Sequence, residues 1–198
     1  MDGDHAPLRE IVELKGKYGA WLMVDEAHAT GLYGANRRGL AEALGVSDRI
    51  EIQMGTLGKA LGAAGGYICG SRPLIEYLIN RARTFIFSTA PVPAAAAAAT
   101  AGSRLVQSDA GEERRRLLWE RVSELSSKLK TQNSERPSAI IPVPIGDETQ
   151  AVETSSALRD QGLFIPAIRY PTVPPSDIVT LADALRLTFH VSRITPRP

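Results

Sequence analysis

Two stretches hold residues whose types and spacing could do chemistry. The first is WLMVDEAHATG, residues 21–31, where an apolar run ends in Asp25, Glu26 and, three residues on from the aspartate, His28. The second is GTLGKALGAAGG, residues 55–66, where Lys59 sits among glycines and alanines with the hydroxyl of Thr56 three residues before it. Asp-Glu-Ala-His can be read as the acidic box of a nucleotide hydrolase, which holds magnesium. That box works with a phosphate loop of pattern GxxxxGK[ST]. Gly58-Lys59 fails the pattern, because Ala60 follows it and position 53 holds Gln. Little chain precedes the box to supply such a loop.

Pyridoxal phosphate (PLP) chemistry makes different demands. It needs a lysine to carry the cofactor as a Schiff base and a carboxylate to keep the pyridine nitrogen protonated. It also needs hydroxyls and amides for the phosphate. Lys59 in a loop stripped of side chains suits the close approach of a flat ring. Asp25, with His28 able to reach the same ring, suits the rest if the strands that carry Asp25 and Lys59 are neighbours. Each residue alone has a plainer reading: a solvated lysine, a capping aspartate, a structural histidine. Their combination in this order is what favours the PLP reading.

These residues need elements to position them. Ala6–Tyr18 has the spacing of an amphipathic helix, with Asp4 as its cap and Gly19 as its stop. Trp21–Val24 predicts a strand buried on both faces of a parallel sheet, with Asp25–His28 just past its carboxyl end, where open sheets bind ligands. After the glycine-rich loop GLYGANRRG, a short helix is expected near Leu40–Leu44. Ile50–Met54 and Gly66–Cys69 read as strands, and Arg72–Arg83 as a helix. FIFSTAP reads as a strand or extended segment. PAAAAAATAGSRLV reads as a buried helix packed on the sheet, begun by Pro93. A long charged helix is expected over Glu112–Leu129, with Leu117, Leu118, Val122, Leu125 and Leu129 on one stripe.

TQNSERPS breaks the pattern and marks a boundary near Thr131. Beyond it come a strand at Ala139–Pro144, a helix at Thr149–Gln161, and strands at Leu163–Ile168 and Ala184–Val191. The expectation is α/β: part of a large PLP-binding domain over residues 1–131, and a small α+β carboxyl-terminal domain over 132–198.

Composition narrows the setting. Of 198 residues 43% are hydrophobic and 23% charged, with a net charge of +1, so nothing draws the chain to nucleic acid or a membrane. The single Cys69 and three histidines exclude a disulfide framework and a cysteine zinc site, and no metal is expected. No apolar run approaches the ~20 residues of a membrane span. The expected setting is the cytoplasm.

VDEAHATG, QMGTLGKALGAAGGYICGS, NRARTFIFSTAPVPAAAAAA and IPAIRYPTVP together resemble the α-oxoamine synthases, fold-type I PLP enzymes with the aspartate aminotransferase-like large domain. The resemblance runs over nearly the whole chain. It implies decarboxylative condensation of an amino acid with an acyl-CoA. RGLAEALGV and AIRYPTVP point to the branch that joins alanine to a pimeloyl thioester in biotin biosynthesis. A glycine C-acetyltransferase-like sibling, and an inactive fragment or partner subunit, remain the alternatives.

By resemblance Lys59 carries the cofactor and moves the α-proton, Asp25 pairs with the ring nitrogen, and His28 bonds the phenolic oxygen. Thr56 binds the phosphate, and Ser88 and Thr89 reach the phosphate of the other subunit of a homodimer. Arg169 and Arg186 hold a substrate carboxylate. The sequence departs from the family in four places, one being its end at RITPRP without the last helix of the family, so the small domain over 132–198 is expected to be truncated. The family's chains are about twice as long, so the chain resembles a carboxyl-terminal half. Tyr170 stands where proline is usual. The segment between Arg169 and Arg186 is about five residues longer than usual, as loops permit. The chain is expected to bind PLP poorly by itself, and either to form a homodimer or to need a missing amino-terminal half.

Overall fold

The computed structural model describes residues 3–129, 137–173 and 179–183. They fall into two compact units, Pro7–Arg115 and a second built from Met1–Ala6 with Arg116–Pro198. The division falls inside a helix. TQNSERPS and the strand expected over Ala184–Val191 lie outside the described residues, apart from Pro137 and Ser138.

The first unit opens with α1, Leu8–Tyr18. Its cap position is Pro7, with no side-chain hydrogen bond, so the cap expected from Asp4 is not made. The fixed φ of proline starts the first turn instead. Gly19 ends the helix at φ 62°, and the Ala20 amide donates to the Lys15 carbonyl at 3.0 Å. That left-handed stop is cheap only for glycine. Leu8 and Val12 are buried with Ala41, Val46 and Ile50, and Leu22, Val24 and Leu44 pack against them. Each such side chain taken fully from water is worth about 1.5–3 kcal/mol.

One sheet of this unit has the order β1-β2-β3, from β1 Met23–Asp25, β2 Ile52–Thr56 and β3 Gly66–Gly70. β1 and β2 run parallel, with Asp25 opposite Met54; β3 is antiparallel to β2. Glu51, just before β2, accepts from the Leu22 amide at 3.0 Å and pairs with Lys15, which ties α1 and the approach to β1 to β2. The apolar run before Asp25 is not buried on both faces as expected: Trp21 is 69% exposed and Met23 50%. In the described sheet β1 has a neighbour on one side only.

The helix α2, Leu40–Leu44, lies where the sequence predicts it, and α3, Arg72–Arg81, starts on Ser71, which accepts from the Leu74 amide. FIFSTAP is not a strand. A short helix α4, Arg83–Ile86, occupies its start, and the Phe87 amide donates to the Arg83 carbonyl at 3.0 Å. The Arg83 guanidinium lies over the Phe87 ring at 5.4 Å, a contact that helical spacing permits.

The alanine-rich α5, Pro93–Gln107, is a helix as expected but has no buried residue. Its close contact is at Gly102, where an added Cβ would meet the Leu61 carbonyl oxygen at 2.1 Å. α6, Asp109–Leu129, buries Leu118 and Val122 of the expected stripe.

Near the start of α6, Glu112 joins Arg37 at 2.6 Å and Arg115 at 2.8 Å. Hydrogen bonds from Arg115 and then Arg37 hold its carboxyl below the ordinary value of 4.5. A depressed carboxylate contributes stability above its unfolded value, and that contribution goes as pH falls through the folded one. The thermal midpoint is therefore expected to drop below pH 4.5, and Glu112→Gln to flatten that part of the profile. A profile unchanged by Glu112→Gln contradicts the coupling.

The second unit has β4 Ile140–Pro144, α7 Glu148–Asp160, β5 Ala167–Ile168 and β6 Val179–Asp183, with sheet order β4-β6-β5, all antiparallel. Asp147 caps α7 by accepting from the Gln150 amide at 2.8 Å. Among the described residues no helix is long and apolar enough to cross a membrane.

Candidate active site

The parallel pairing of β1 with β2 brings the two chemical stretches to one sheet edge. Asp25 is the last residue of β1 and lies in register with Met54; β2 ends two residues later at Thr56, and Lys59 follows in the next loop. Asp25 is exposed, and its Oδ1 accepts from the Ala27 amide at 2.8 Å. His28 is exposed in the turn that follows. Within that turn the Ala29 and Thr30 amides donate to the Glu26 carbonyl at 2.9 and 2.8 Å.

The lysine loop is closed by its own backbone. The Leu57 amide donates to Gly65 at 2.9 Å, Ala63 to Leu57 at 2.8 Å and Gly62 to Lys59 at 3.0 Å. Leu61 is buried beneath it while Gly58 and Lys59 are exposed. Around the lysine the surface is bare: nothing lies within 4 Å of a Cβ added at Gly62, and at Gly58 the nearest atoms are 3.5 Å away. Such a surface admits a planar group beside the amine without a side chain in the way.

The hydroxyls expected on a phosphate are engaged elsewhere. Thr56 Oγ1 donates to the Gly65 carbonyl at 3.1 Å and accepts from the Gly58 amide at 3.1 Å. Ser88 Oγ donates to the Thr84 carbonyl of α4. Thr89 is exposed just beyond it. Arg169 belongs to the second unit and follows β5; its Nη1 stands 3.5 Å from Glu148 Oε1, with both side chains about half exposed. A pair so wet contributes little to stability and leaves the guanidinium able to take another carboxylate. Arg186 lies outside the described residues.

Glu26, beside Asp25, is turned to a structural task. It is 3% exposed, and its two oxygens accept from the Leu40 and Ala41 amides at 2.9 and 2.7 Å. That buried carboxylate is bonded to the first turn of α2. No motif marks Glu26, and Thr30 and Tyr67, whose hydroxyls meet at 2.8 Å, are marked only indirectly. One signal for that contact stands in the sequence: Gly55 interrupts a strand, and it lies directly opposite Tyr67, whose hydroxyl would meet a Cβ there at 2.5 Å.

Comparison with known proteins adds the family. The sequence pattern of the aminotransferase class I and II family matches residues 1–194. The chain is 50% identical over 175 residues to the 8-amino-7-oxononanoate synthase of Anaeromyxobacter sp. strain K, covering 88% of this chain and 44% of that one. A serine palmitoyltransferase variant from S. paucimobilis, solved with a bound PLP–myriocin aldimine, superposes with a TM-score of 0.84 at 30% identity. It covers 95% of this chain and 50% of its own. The 8-amino-7-oxononanoate synthase of Francisella tularensis superposes at 0.75 with 25% identity, over 91% of this chain and 53% of its own. The chain thus spans about half the length of the relatives it matches. With the family pattern running over nearly all its residues and the fold shared with these enzymes, the chain belongs to the aminotransferase class I and II family.

Proposed function

We propose that this chain carries the lysine-bearing part of a PLP site that condenses alanine with a pimeloyl thioester, releasing CoA and carbon dioxide. The observation that carries the reading is the parallel register of β1 and β2, which sends Asp25 and the Lys59 loop from one sheet edge. The residues present suit the group: an amine for an aldehyde, a carboxylate for a protonated ring nitrogen, and a glycine-lined surface for a flat ring. PLP, when bound, supplies a sink for the electron pair left at the substrate's α-carbon.

The chain's own groups do the rest. Lys59 Nζ holds the cofactor's carbon between turnovers and moves the α-proton of the amino acid. Asp25 keeps the ring nitrogen protonated, an electrostatic contribution made as charge develops. His28 orients the ring through its phenolic oxygen. Thr56 meets the phosphate by turning its proton away from the Gly65 carbonyl. Ser88 and Thr89 serve the phosphate held by a second copy in a homodimer. Arg169 fixes a substrate carboxylate, and Arg186 is its proposed companion. The cytoplasm, where the exposed Cys69 stays reduced, is the proposed setting.

The identity of 50% to an 8-amino-7-oxononanoate synthase favours alanine and the pimeloyl chain over the longer chain named for the palmitoyltransferase. The test measures CoA release from a pimeloyl thioester with alanine and PLP. It is run with this chain alone and with the part of the Anaeromyxobacter relative that the match leaves uncovered. Alanine-dependent release in either mixture supports the reading. Preference for glycine with acetyl-CoA transfers it to the sibling, and no release in both mixtures leaves an inactive fragment.

A further inference from the structure

We propose that Glu26 on one side and the Thr30–Tyr67 pair on the other form a brace that sets the turn carrying Asp25 and His28, so that Glu26 is a positioning residue of the site. The proposal rests on the reading above for what the turn presents, but not for the brace itself. A carboxylate as buried as Glu26 is costly unless its oxygens are bonded. Its partners are the Leu40 and Ala41 amides, donors that the start of a helix leaves without internal acceptors. Gly39 precedes them at φ 141° with no side chain to cap α2, and a Cβ there would lie 2.6 Å from the Glu26 carboxyl. Glutamate and glycine therefore fit as a pair: the space one leaves is filled by the other.

The backbone of Glu26 binds in two further directions. Its amide donates to the Met54 carbonyl at 2.8 Å, which carries the β1–β2 pairing one residue past Asp25. Its carbonyl accepts from the Ala29 and Thr30 amides and from Thr30 Oγ1 at 3.0 Å. At the far end of the turn, the hydroxyls of Thr30 and Tyr67 join it to β3. Asp25, Ala27 and His28 thus hang between α2 and β3. The plainer alternative is that Glu26 only caps α2.

Amide exchange separates the two without any cofactor. If the brace is real, Glu26→Gln speeds exchange about tenfold at Ala27, Ala29 and Thr30 as well as at Leu40 and Ala41, a local opening that leaves Val12 unchanged. Tyr67→Phe does the same at Ala29 and Thr30 while leaving α2 protected. Glu26→Asp, which keeps the charge on a shorter arm, recovers part of the protection. Faster exchange at Leu40 and Ala41 alone overturns the brace. If Glu26→Gln does not fold, Tyr67→Phe decides, since it caps no helix: an unchanged Thr30 sinks the proposal. PLP affinity is read in parallel and is expected to fall about tenfold in both variants, as when a group that orients a ligand's partner is removed. Failure of the unsubstituted protein to form a Lys59-dependent PLP band, with or without the relative's uncovered part, removes the cofactor reading and leaves the exchange result standing.

Discussion

Under the proposed function, Lys59→Ala abolishes any visible band formed with PLP and lowers alanine-dependent CoA release by at least about a thousandfold. The size follows from what the residue is asked to do. On the proposed function the amine would both hold the cofactor and move the substrate's proton, so the substitution removes two functions that act as a unit. Removing a hydrogen-bonding group beside the ring takes away one interaction and costs less. Asp25→Asn is the companion measurement. It keeps the bond from the Ala27 amide to Asp25 Oδ1 but removes the charge, so the band persists while turnover falls. Both variants are measured in the two mixtures described above. A Lys59→Ala protein that keeps the band would assign the Schiff base to another lysine and end the proposed reading of the loop.

The sequence carried this arrangement in its order of strands. A short apolar run ending in Asp25 and a second run leading to Thr56 were legible as strands, and parallel neighbours release their carboxyl ends on one side. The short helix at Leu40–Leu44 lies where it was expected, and α7 lies within a residue of its expected bounds at each end. What misled was burial. Trp21, Met23 and the alanines of α5 are the composition of a covered surface, yet in the described chain Trp21, Met23 and most of those alanines are exposed, with Ala95 and Ala99 half-buried. Composition reports that a surface can be covered and not by which residues. FIFSTAP misled for another reason: its aromatic and β-branched residues favour a strand, but among the described residues no strand pairs with it, and bonds to the Ala82 and Arg83 carbonyls wind its start into a turn of helix. Glu26 could not be read at all. Its partners lie 14 and 15 residues away, and an interior carboxylate looks the same in sequence as a solvated one.

Gly102→Ala provides the second large effect, and local propensity gives it the wrong sign. Alanine in a helix interior is favoured over glycine by about 1 kcal/mol. At this position, though, the new methyl would stand 2.1 Å from the Leu61 carbonyl oxygen and 2.9 Å from its carbon. The obstacle is backbone, which cannot swing aside as a side chain can. Forcing atoms into such a contact costs about 1–3 kcal/mol, so the net change is destabilising by up to about 2 kcal/mol. The consequence for the site is larger than the loss of stability. Leu61 is two residues from Lys59, and the hydrogen bond from the Gly62 amide to the Lys59 carbonyl ties the two together. If Leu61 shifts by about 1 Å to relieve the contact and Lys59 shifts with it, a misplacement of about that size costs up to about a hundredfold in rate. The expected outcome is a lower thermal midpoint, retention of the PLP band, and a fall in turnover far beyond what the stability change explains. A Gly102→Ala protein of raised midpoint and full turnover would mean that α5 and the lysine loop are not in this contact in solution. Gly102→Ser gives a graded control, since its Cβ meets the same carbonyl while serine lacks the helix preference of alanine. It should be less stable than the alanine variant and equally slow.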